Sequence, residues 1–570
     1  MKRSEEGLVS RWRMLLVMAF LALSGVGLVA RAAWLQVADA DWLRAQGDAR
    51  NLRIEPVAAT RGLILDRNGQ PLAVSTPVVS VWVEPKEVLQ HRDRWKALAR
   101  AVGIDLEDLK DRILGGQHKE FVFVRRHLAP ELADAILALD IPGVHGLTEY
   151  RRYYPAGEVT AHLVGFTDID GKGQEGMELA LEPELGAKEG QRKVVKDLRG
   201  NVVRDVAVIE DAEPGTDAWL SIDLRIQYLA HRELAAAVQQ QKASGGSVVV
   251  LDVHTGEVLA MVNQPVFNPN NRQRVKTAWL RNRALTDVFE PGSTMKTFTV
   301  VAALESGQFR PGSLLETSPG YMKVGDKVIR DHHNFGLIDM STLLAKSSNV
   351  GATQLALAMD PGEFVQAFHR FGFGRQTASG FPGESSGMLQ RSARSRKIEL
   401  ATLSYGYGIS TTMLQLAQAY ATLGAGGVAR PVTLRRRDTP PPGERVVDAD
   451  IAAAVMKMLR AVSGDEGTAT RARINGYSVA GKTGTVKKLT ERGYAEKEYL
   501  SLFAGLAPAT RPRLATVVMI DNPRASEFYG GLVAAPVYSA VTAGALRTLN
   551  VRPDDVPVMA DAAAAPGGVL

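Results

Sequence analysis

FEPGSTMKTFTVVAALESG, residues 289–307, sets a serine and a lysine three positions apart at the head of an apolar run. The Pro-Gly pair at 291–292 interrupts whatever precedes it, and serine is a favoured residue at a helix N-terminus. A purely structural reading makes Ser293 a helix cap and Lys296 a surface charge. If a helix begins here, positions i and i+3 share a face, so the Lys296 amine can meet the Ser293 hydroxyl. Phe298, Val300, Val301 and Leu304 leave little polar face, which predicts a buried central helix ending at Gly307. A lysine in the first turn of such a helix is poorly placed for solvent. A serine hydroxyl is a weak nucleophile until a base takes its proton, and a lysine near its ordinary pKa of about 10.4 cannot act as that base. Burial or a second cation lowers that value, so the sequence should supply another positive group.

It does so in GYSVAGKTGTVKK, residues 476–488, which contains Lys482-Thr483-Gly484-Thr485. On a strand, Lys482 and Gly484 face one way and Thr483 and Thr485 the other. Gly484 lacks a side chain, so a substrate can lie close to the backbone there. A third segment, AKSSNVGATQ, carries Ser347-Ser348-Asn349 after the predicted helix STLLAK at 341–346. Read alone, the second segment is a turn and the third a helix end.

The chain has 570 residues, with 45% hydrophobic and 23% charged residues and a formal charge of +6. That length implies two or three folded units, and that composition excludes wholesale disorder. The mild charge is not gathered into one domain, which argues against a nucleic-acid partner. Cysteine is absent, which removes disulfides, thiolate nucleophiles and cysteine-ligated zinc. At the N-terminus Lys2, Arg3, Arg11 and Arg13 precede the uncharged run MLLVMAFLALSGVGLVA at 14–30. Ala30-Arg31-Ala32 makes a poor signal-peptide cleavage site, so the run reads as a membrane anchor extended to residue 35, with Arg31 snorkelling and Trp34 at the interface. The positive-inside rule then keeps residues 1–13 in the cytoplasm and sends the rest outside. SGVG at 24–27 would permit close helix packing in the membrane, or is ordinary membrane-helix sequence.

After a polar helical stalk at 37–53, RGLILDRNGQPLA at 61–73 reads as a strand and an Asp-Arg-Asn-Gly turn, followed by the strand run VVSVWVEP. Short strands and helices alternate from there to about residue 220. SIDLRIQYLAHRELAAAVQQQ then has helical apolar spacing, GGSVVVLDVHTGEVLAMV reads as a hairpin, RLATVVMID at 513–521 as a strand and APVYSAVTAGALRTL from 535 as a helix. Helices flanking an antiparallel sheet are expected for this second unit. The Ala- and Pro-rich end, 551–570, has little to bury and is expected to be mobile.

S-x-x-K, S-x-N and K-T-G in this order, about 50 and then about 130 residues apart, form the motif set of serine acyl-transferases that react with β-lactams. On these residues the chain resembles the penicillin-binding proteins. RGLILDRNG and RRYYPAGEVTAHLVGFTDIDGKGQEGMELALEPEL at 151–185 resemble signatures of the class B non-catalytic module. DVFEPGSTMK, KSSNVGATQLAL, LSYGYGISTTMLQLAQAYATL and FYGGLVAAPVY are similar to the septal, division-specific members of class B. The resemblance runs from residue 11 to about 550, with one departure: Thr297 stands where the family usually has proline. Proline there would lie in the helix's first turns, so its loss should alter only local rigidity.

The resemblance implies an α+β multidomain protein: cytoplasmic tail 1–13, transmembrane anchor 14–35, stalk and elongated pedestal module 36–218, transpeptidase domain 219–550 and mobile tail 551–570. It also implies a peptidoglycan D,D-transpeptidase that cross-links septal wall through a serine acyl-enzyme and is acylated by β-lactams. Ser293 would attack the D-Ala-D-Ala carbonyl of a stem peptide with neutral Lys296 as base. Ser347 would relay a proton to the leaving group, and Lys482 would depress the Lys296 pKa and shape the field for the substrate carboxylate. Asn349 would bind the acyl donor's amide, Thr483 and Thr485 the terminal carboxylate, and the backbone N–H groups of Ser293 and Thr485 the oxyanion. A neighbouring stem-peptide amine would be the acceptor. No cofactor or metal is implied: His332-His333 beside Asp331 lack the remaining ligands that zinc expects. Residues 36–220 carry no glycosyltransferase signature, so strand polymerisation would come from a membrane glycosyltransferase partner of the cell-division machinery. The resemblance places the protein in the inner membrane, single-pass, with a periplasmic catalytic domain. A D,D-carboxypeptidase or β-lactamase-type hydrolase would use the same motifs with water as acceptor. A non-catalytic division scaffold is the third class, disfavoured by the intact motifs.

Overall fold

A computed structural model describes residues 6–42, 52–196, 202–389, 396–490 and 493–555. The expected stalk falls largely, and the C-terminal tail from 556 on entirely, outside the described residues. The apolar N-terminal run lies in a helix of 32 residues, Glu6–Val37, with exposed side chains along the membrane-anchor stretch. At 1.5 Å per residue it is about 48 Å long, more than a bilayer's hydrocarbon core requires.

The described chain separates into two compact units, and the division differs from a single cut near residue 218. One unit gathers the described residues up to Thr60, Val78–Glu149 and those of Ala187–Pro214. It contains a three-stranded sheet of Leu52–Val57, Gly190–Lys196 and Val202–Glu210. It also contains a small core in which Val81, Val83, Trp95, Leu98, Ile113 and Val124 pack together. The other unit joins Arg61–Pro77 and Tyr150–Gly186 to the described residues from Gly215 on.

The physical reason lies in both apolar and ionic contacts. Ile64, Leu72, Tyr154, Leu163 and Leu185 belong to the same continuous core as the C-terminal sheet. Arg61 and Arg152 close on the fully buried Glu178 carboxylate at 2.7 and 2.6 Å. Arg61 also reaches Glu182 at 2.7 Å, and the same Glu182 oxygen accepts the Gly173 N–H at 2.7 Å. Thus RGLILDRNG and the two halves of the 151–185 segment meet around one charge cluster. The turn after the first strand forms as expected: the Asp66 carboxylate accepts the N–H groups of Asn68 and Gln70.

The large unit is built on a five-stranded antiparallel sheet in the order Val258–Gln264, Gly245–Asp252, Leu514–Asp521, Gly493–Ala507, Ala480–Thr490. Its β-branched and aliphatic strands are buried on both faces because helices cover the sheet. Leu224–Gln240, capped by Asp223, packs with Gly530–Thr548, and Met413–Gly424 packs on the sheet as well. This is the predicted arrangement of helices about an antiparallel sheet. The last helix begins five residues before Ala535 and carries Pro536 inside it. Gly530 and Gly531, which read locally as breakers, are required by close packing. A Cβ on Gly530 would sit 2.2 Å from the Leu502 carbonyl, and one on Gly531 2.0 Å from that of Thr468. Residues 551–555, expected to be mobile, are tied down instead, since Asp554 accepts Thr510 Oγ1 at 2.7 Å and the N–H of Ser478 at 2.8 Å.

Candidate active site

Ser293 is not a helix cap. Gly292–Met295 forms a tight 3-10 turn that runs into the α-helix Lys296–Glu305, and neither start uses a side-chain cap. The turn is held by its neighbours. Gly292 has φ +56° and donates its N–H to Gly406 O, and Thr294 Oγ1 donates to Pro291 O at 2.8 Å. Gly406, in the Tyr-Gly-Tyr-Gly loop, is itself at φ +84°, and a Cβ there would overlap the Gly292 carbonyl at 2.1 Å. The helix is buried through Leu304, with Phe298 edge-on to Phe373 and Tyr420, and Gly307 beyond it is left-handed.

Lys296 Nζ meets four oxygens: Ser347 O at 2.5 Å, Asn349 Oδ1 at 2.7 Å, and the hydroxyls of Ser293 and Ser347, each at 3.1 Å. Two of these, the Ser347 carbonyl and the Asn349 amide oxygen, can only accept. The Asn349 orientation is fixed because its Nδ2 donates to Arg330 O at 2.9 Å. A neutral amine has two hydrogens and one lone pair, so the two obligate acceptors consume both hydrogens. The lone pair is left for a hydroxyl proton. The Lys296 pKa is held well below the ordinary lysine value by burial first and then by the charge of Lys482, with Asp331 acting in the opposite sense.

Lys482 projects from the edge strand Ala480–Thr490. Its Nζ donates to Ser347 Oγ at 3.0 Å and lies 3.3 Å from both oxygens of Thr483. Burial pushes its pKa down to about 7. The Ser347 hydroxyl therefore stands between the two amines. It gets there through an unusual backbone: Ser347 ends the helix Met340–Lys346 in the left-handed region, at φ 62° and ψ 43°. A non-glycine residue rarely adopts that conformation, and here it turns both carbonyl and hydroxyl toward Lys296.

Of the expected substrate contacts, Thr483 Oγ1 lies 3.1 Å from Thr468 Oγ1, and Thr485 Oγ1 accepts the Gly530 N–H at 3.0 Å, keeping its own hydrogen to donate. Gly484 is glycine for a reason other than a close substrate: a Cβ would come within 3.1 Å of Pro291 O and 3.2 Å of Thr294 Cγ2. Its bare face receives the turn Gly292–Met295. Two residues escaped sequence reading. Asp331 caps the helix Asn349–Ala358, accepting from the N–H groups of Asn349 and Val350 and from Ser348 Oγ at 2.6 Å. It thereby fixes the Ser-Ser-Asn loop. A lone Asp before two histidines gives no such signal. Thr468 comes from an irregular loop with no motif; its hydroxyl adds a donor beside Lys482 and Thr483.

An SxxK serine at a helix start, a second serine held between two buried lysines and a K-T-G edge strand define a penicillin-binding serine acyl-transferase fold. Residues 246–543 match the penicillin binding protein transpeptidase domain, and residues 56–220 the penicillin-binding protein dimerisation domain. The chain belongs to the class B penicillin-binding proteins. It is 44% identical to the peptidoglycan D,D-transpeptidase FtsI of Escherichia coli K12, over 97% of this chain and 95% of that one. It is 41% identical to the probable peptidoglycan D,D-transpeptidase PbpC of Pseudomonas aeruginosa, over 96% and 98%. The solved transpeptidase domain of penicillin-binding protein 3 from Burkholderia pseudomallei is 41% identical, with a TM-score of 0.55, covering 59% of this chain and 98% of that domain.

Proposed function

We propose that this protein is a peptidoglycan D,D-transpeptidase of the septal type. Ser293 Oγ attacks the carbonyl of the penultimate D-alanine while Lys296 takes the hydroxyl proton, and the oxyanion accepts the N–H groups of Ser293 and Thr485. The C–N bond then breaks. The proton passes through Ser347, backed by Lys482, to the departing D-alanine nitrogen, leaving an ester on Ser293. An amine of a neighbouring stem peptide attacks that ester, forming the cross-link and returning the proton to the serine. Asn349 binds the donor's amide. Lys482 with the Thr483, Thr485 and Thr468 hydroxyls holds the terminal carboxylate, for which a cation beside three hydroxyls is suited. Gly484 supports this strand by admitting the nucleophile turn beneath it. A β-lactam acylates the same serine, but its amine stays tethered and obstructs the acceptor.

The observation that carries this reading is that the buried Lys296 amine has two obligate acceptors, the Ser347 carbonyl and the Asn349 amide oxygen at 2.5 and 2.7 Å, and beside them the Ser293 and Ser347 hydroxyls, each at 3.1 Å. The N-terminal helix and the relatives support a single-pass inner-membrane protein. Arg11 and Arg13 before the apolar run favour a cytoplasmic N-terminus and a periplasmic catalytic unit. Glycan polymerisation then comes from a membrane glycosyltransferase, and division proteins are the expected neighbours. A fluorescent penicillin should label the purified protein covalently, and Ser293→Ala should fold normally and take no label; label on the alanine variant would reject the nucleophile. With lipid-linked precursor and a polymerase, cross-linked muropeptides are expected. Trimmed peptides without cross-links would make the protein a hydrolase.

A further inference from the structure

We propose that Thr297 and Tyr420 form a positioning pair for the nucleophile, replacing by hydrogen bonds the rigidity that a proline after the SxxK lysine would give. The proposal rests on the Ser293 acyl-enzyme reading. Thr297, Tyr420 and Thr294 are all fully buried. Tyr420, on the helix Met413–Gly424, donates its hydroxyl to the Thr294 carbonyl at 3.0 Å and lies 2.9 Å from Thr297 Oγ1. A phenol has one hydrogen, so Thr297 must be the donor to Tyr420. Burial raises the Tyr420 pKa, which keeps that hydrogen in place at any physiological pH. The chain of donors therefore runs in one direction, from Thr297 through Tyr420 to the carbonyl of the residue that follows Ser293.

Two consequences bear on the site. First, the carbonyl of Thr294 is fixed from outside the turn, at the point where the 3-10 turn gives way to the α-helix. Second, a threonine hydroxyl inside a helix otherwise bonds to the carbonyl four residues back, which for Thr297 is that of Ser293. Tyr420 draws the hydroxyl away from the nucleophile's own backbone. Thr297 is the second residue of the helix, counting from Lys296, a place where proline is sterically allowed and would set φ near −65° without any partner. Threonine lacks that restraint, and here the tyrosine supplies it.

The test measures the first-order acylation constant and the pre-acylation dissociation constant for a chromogenic cephalosporin, with melting temperature, on the full chain in detergent. Thr297→Val, close to isosteric, is expected to lower the acylation constant about five- to tenfold, the value of one hydrogen bond, with the dissociation constant and melting temperature little changed. Thr297→Ser should keep the wild-type rate. Tyr420→Phe, which also frees the Thr294 carbonyl, should lower the constant at least as much as the valine variant, and the double variant should be no slower than Tyr420→Phe alone. Thr297→Pro should recover most of the lost rate although, like valine, it gives the Tyr420 oxygen no hydroxyl donor. A merely structural hydroxyl would not give that recovery. Wild-type acylation by Thr297→Val, losses that multiply in the double variant, or no recovery with proline would overturn the proposal. Failure of the underlying reading is separate: it would appear as labelling of Ser293→Ala.

Discussion

At neutral pH an ordinary lysine cannot take a proton from serine, and the environment of Lys296 removes that obstacle in two ways. Water is excluded, and a second buried amine, Lys482, stands across the Ser347 hydroxyl. The same arrangement has a thermodynamic consequence. Lys482 has a folded pKa of about 7, against about 10.4 in an unfolded chain. Between those values the unfolded chain binds the proton and the folded one does not, so the free energy of unfolding rises with pH. Urea melts from pH 7 to 9 should show that rise in the wild type and a shallower one in Lys482→Met; equal slopes would contradict the buried, shifted amine. Ser293 and both lysines were legible from motif spacing. Asp331 and Thr468 were not, because each acts through contacts made across the fold: a helix cap formed by a distant loop, and a hydroxyl brought beside the K-T-G strand.

At the scale of elements, the candidate site depends on how closely the Gly292–Met295 turn sits on the edge strand. Gly484→Ala would place a methyl group 3.1 Å from Pro291 O and Leu502 Cβ and 3.2 Å from Thr294 Cγ2. We expect it to lower stability by about 1 to 3 kcal/mol through overpacking, and to slow acylation at least tenfold, read by stopped-flow labelling. Wild-type labelling by this variant would show that the turn does not need that contact. Asp331→Ala removes the acceptor for two helix N–H groups, at a cost of about 0.5 to 2 kcal/mol. It should also slow acylation by loosening Ser347 and Asn349, and unchanged kinetics would show that the loop holds itself. The elements themselves were largely readable from apolar periodicity: the hairpin, the helix after Asp223 and the strand before Asp521 all form. The start of the last helix was placed five residues late, at Ala535, because the Gly530-Gly531 pair gives no local helix signal while packing against carbonyl oxygens demands the glycines.

At the scale of the molecule, sequence reading set a boundary near residue 218, close to where the dimerisation-domain match ends at 220, while the compact unit that carries the C-terminal sheet also gathers the segments Arg61–Pro77 and Tyr150–Gly186. No local pattern reveals this, because the tie is the buried Glu178 between two arginines more than a hundred residues and about twenty-five residues away. Glu178→Ala leaves the buried Arg152 without its carboxylate and Arg61 with Glu182 alone, and is expected to destabilise the unit by about 3 to 5 kcal/mol, measured by chemical denaturation. A loss below about 1 kcal/mol would show the cluster to be dispensable. Around that frame, three distant segments bring the Ser293 and Ser347 hydroxyls and the buried amines of Lys296 and Lys482 together. The pH dependence of acylation by benzylpenicillin tests this most directly. Because burial and the Lys482 charge hold the Lys296 pKa well below the ordinary lysine value, the rate constant should reach its plateau well short of pH 10; a rate that instead climbs tenfold per pH unit toward pH 10 would contradict the account.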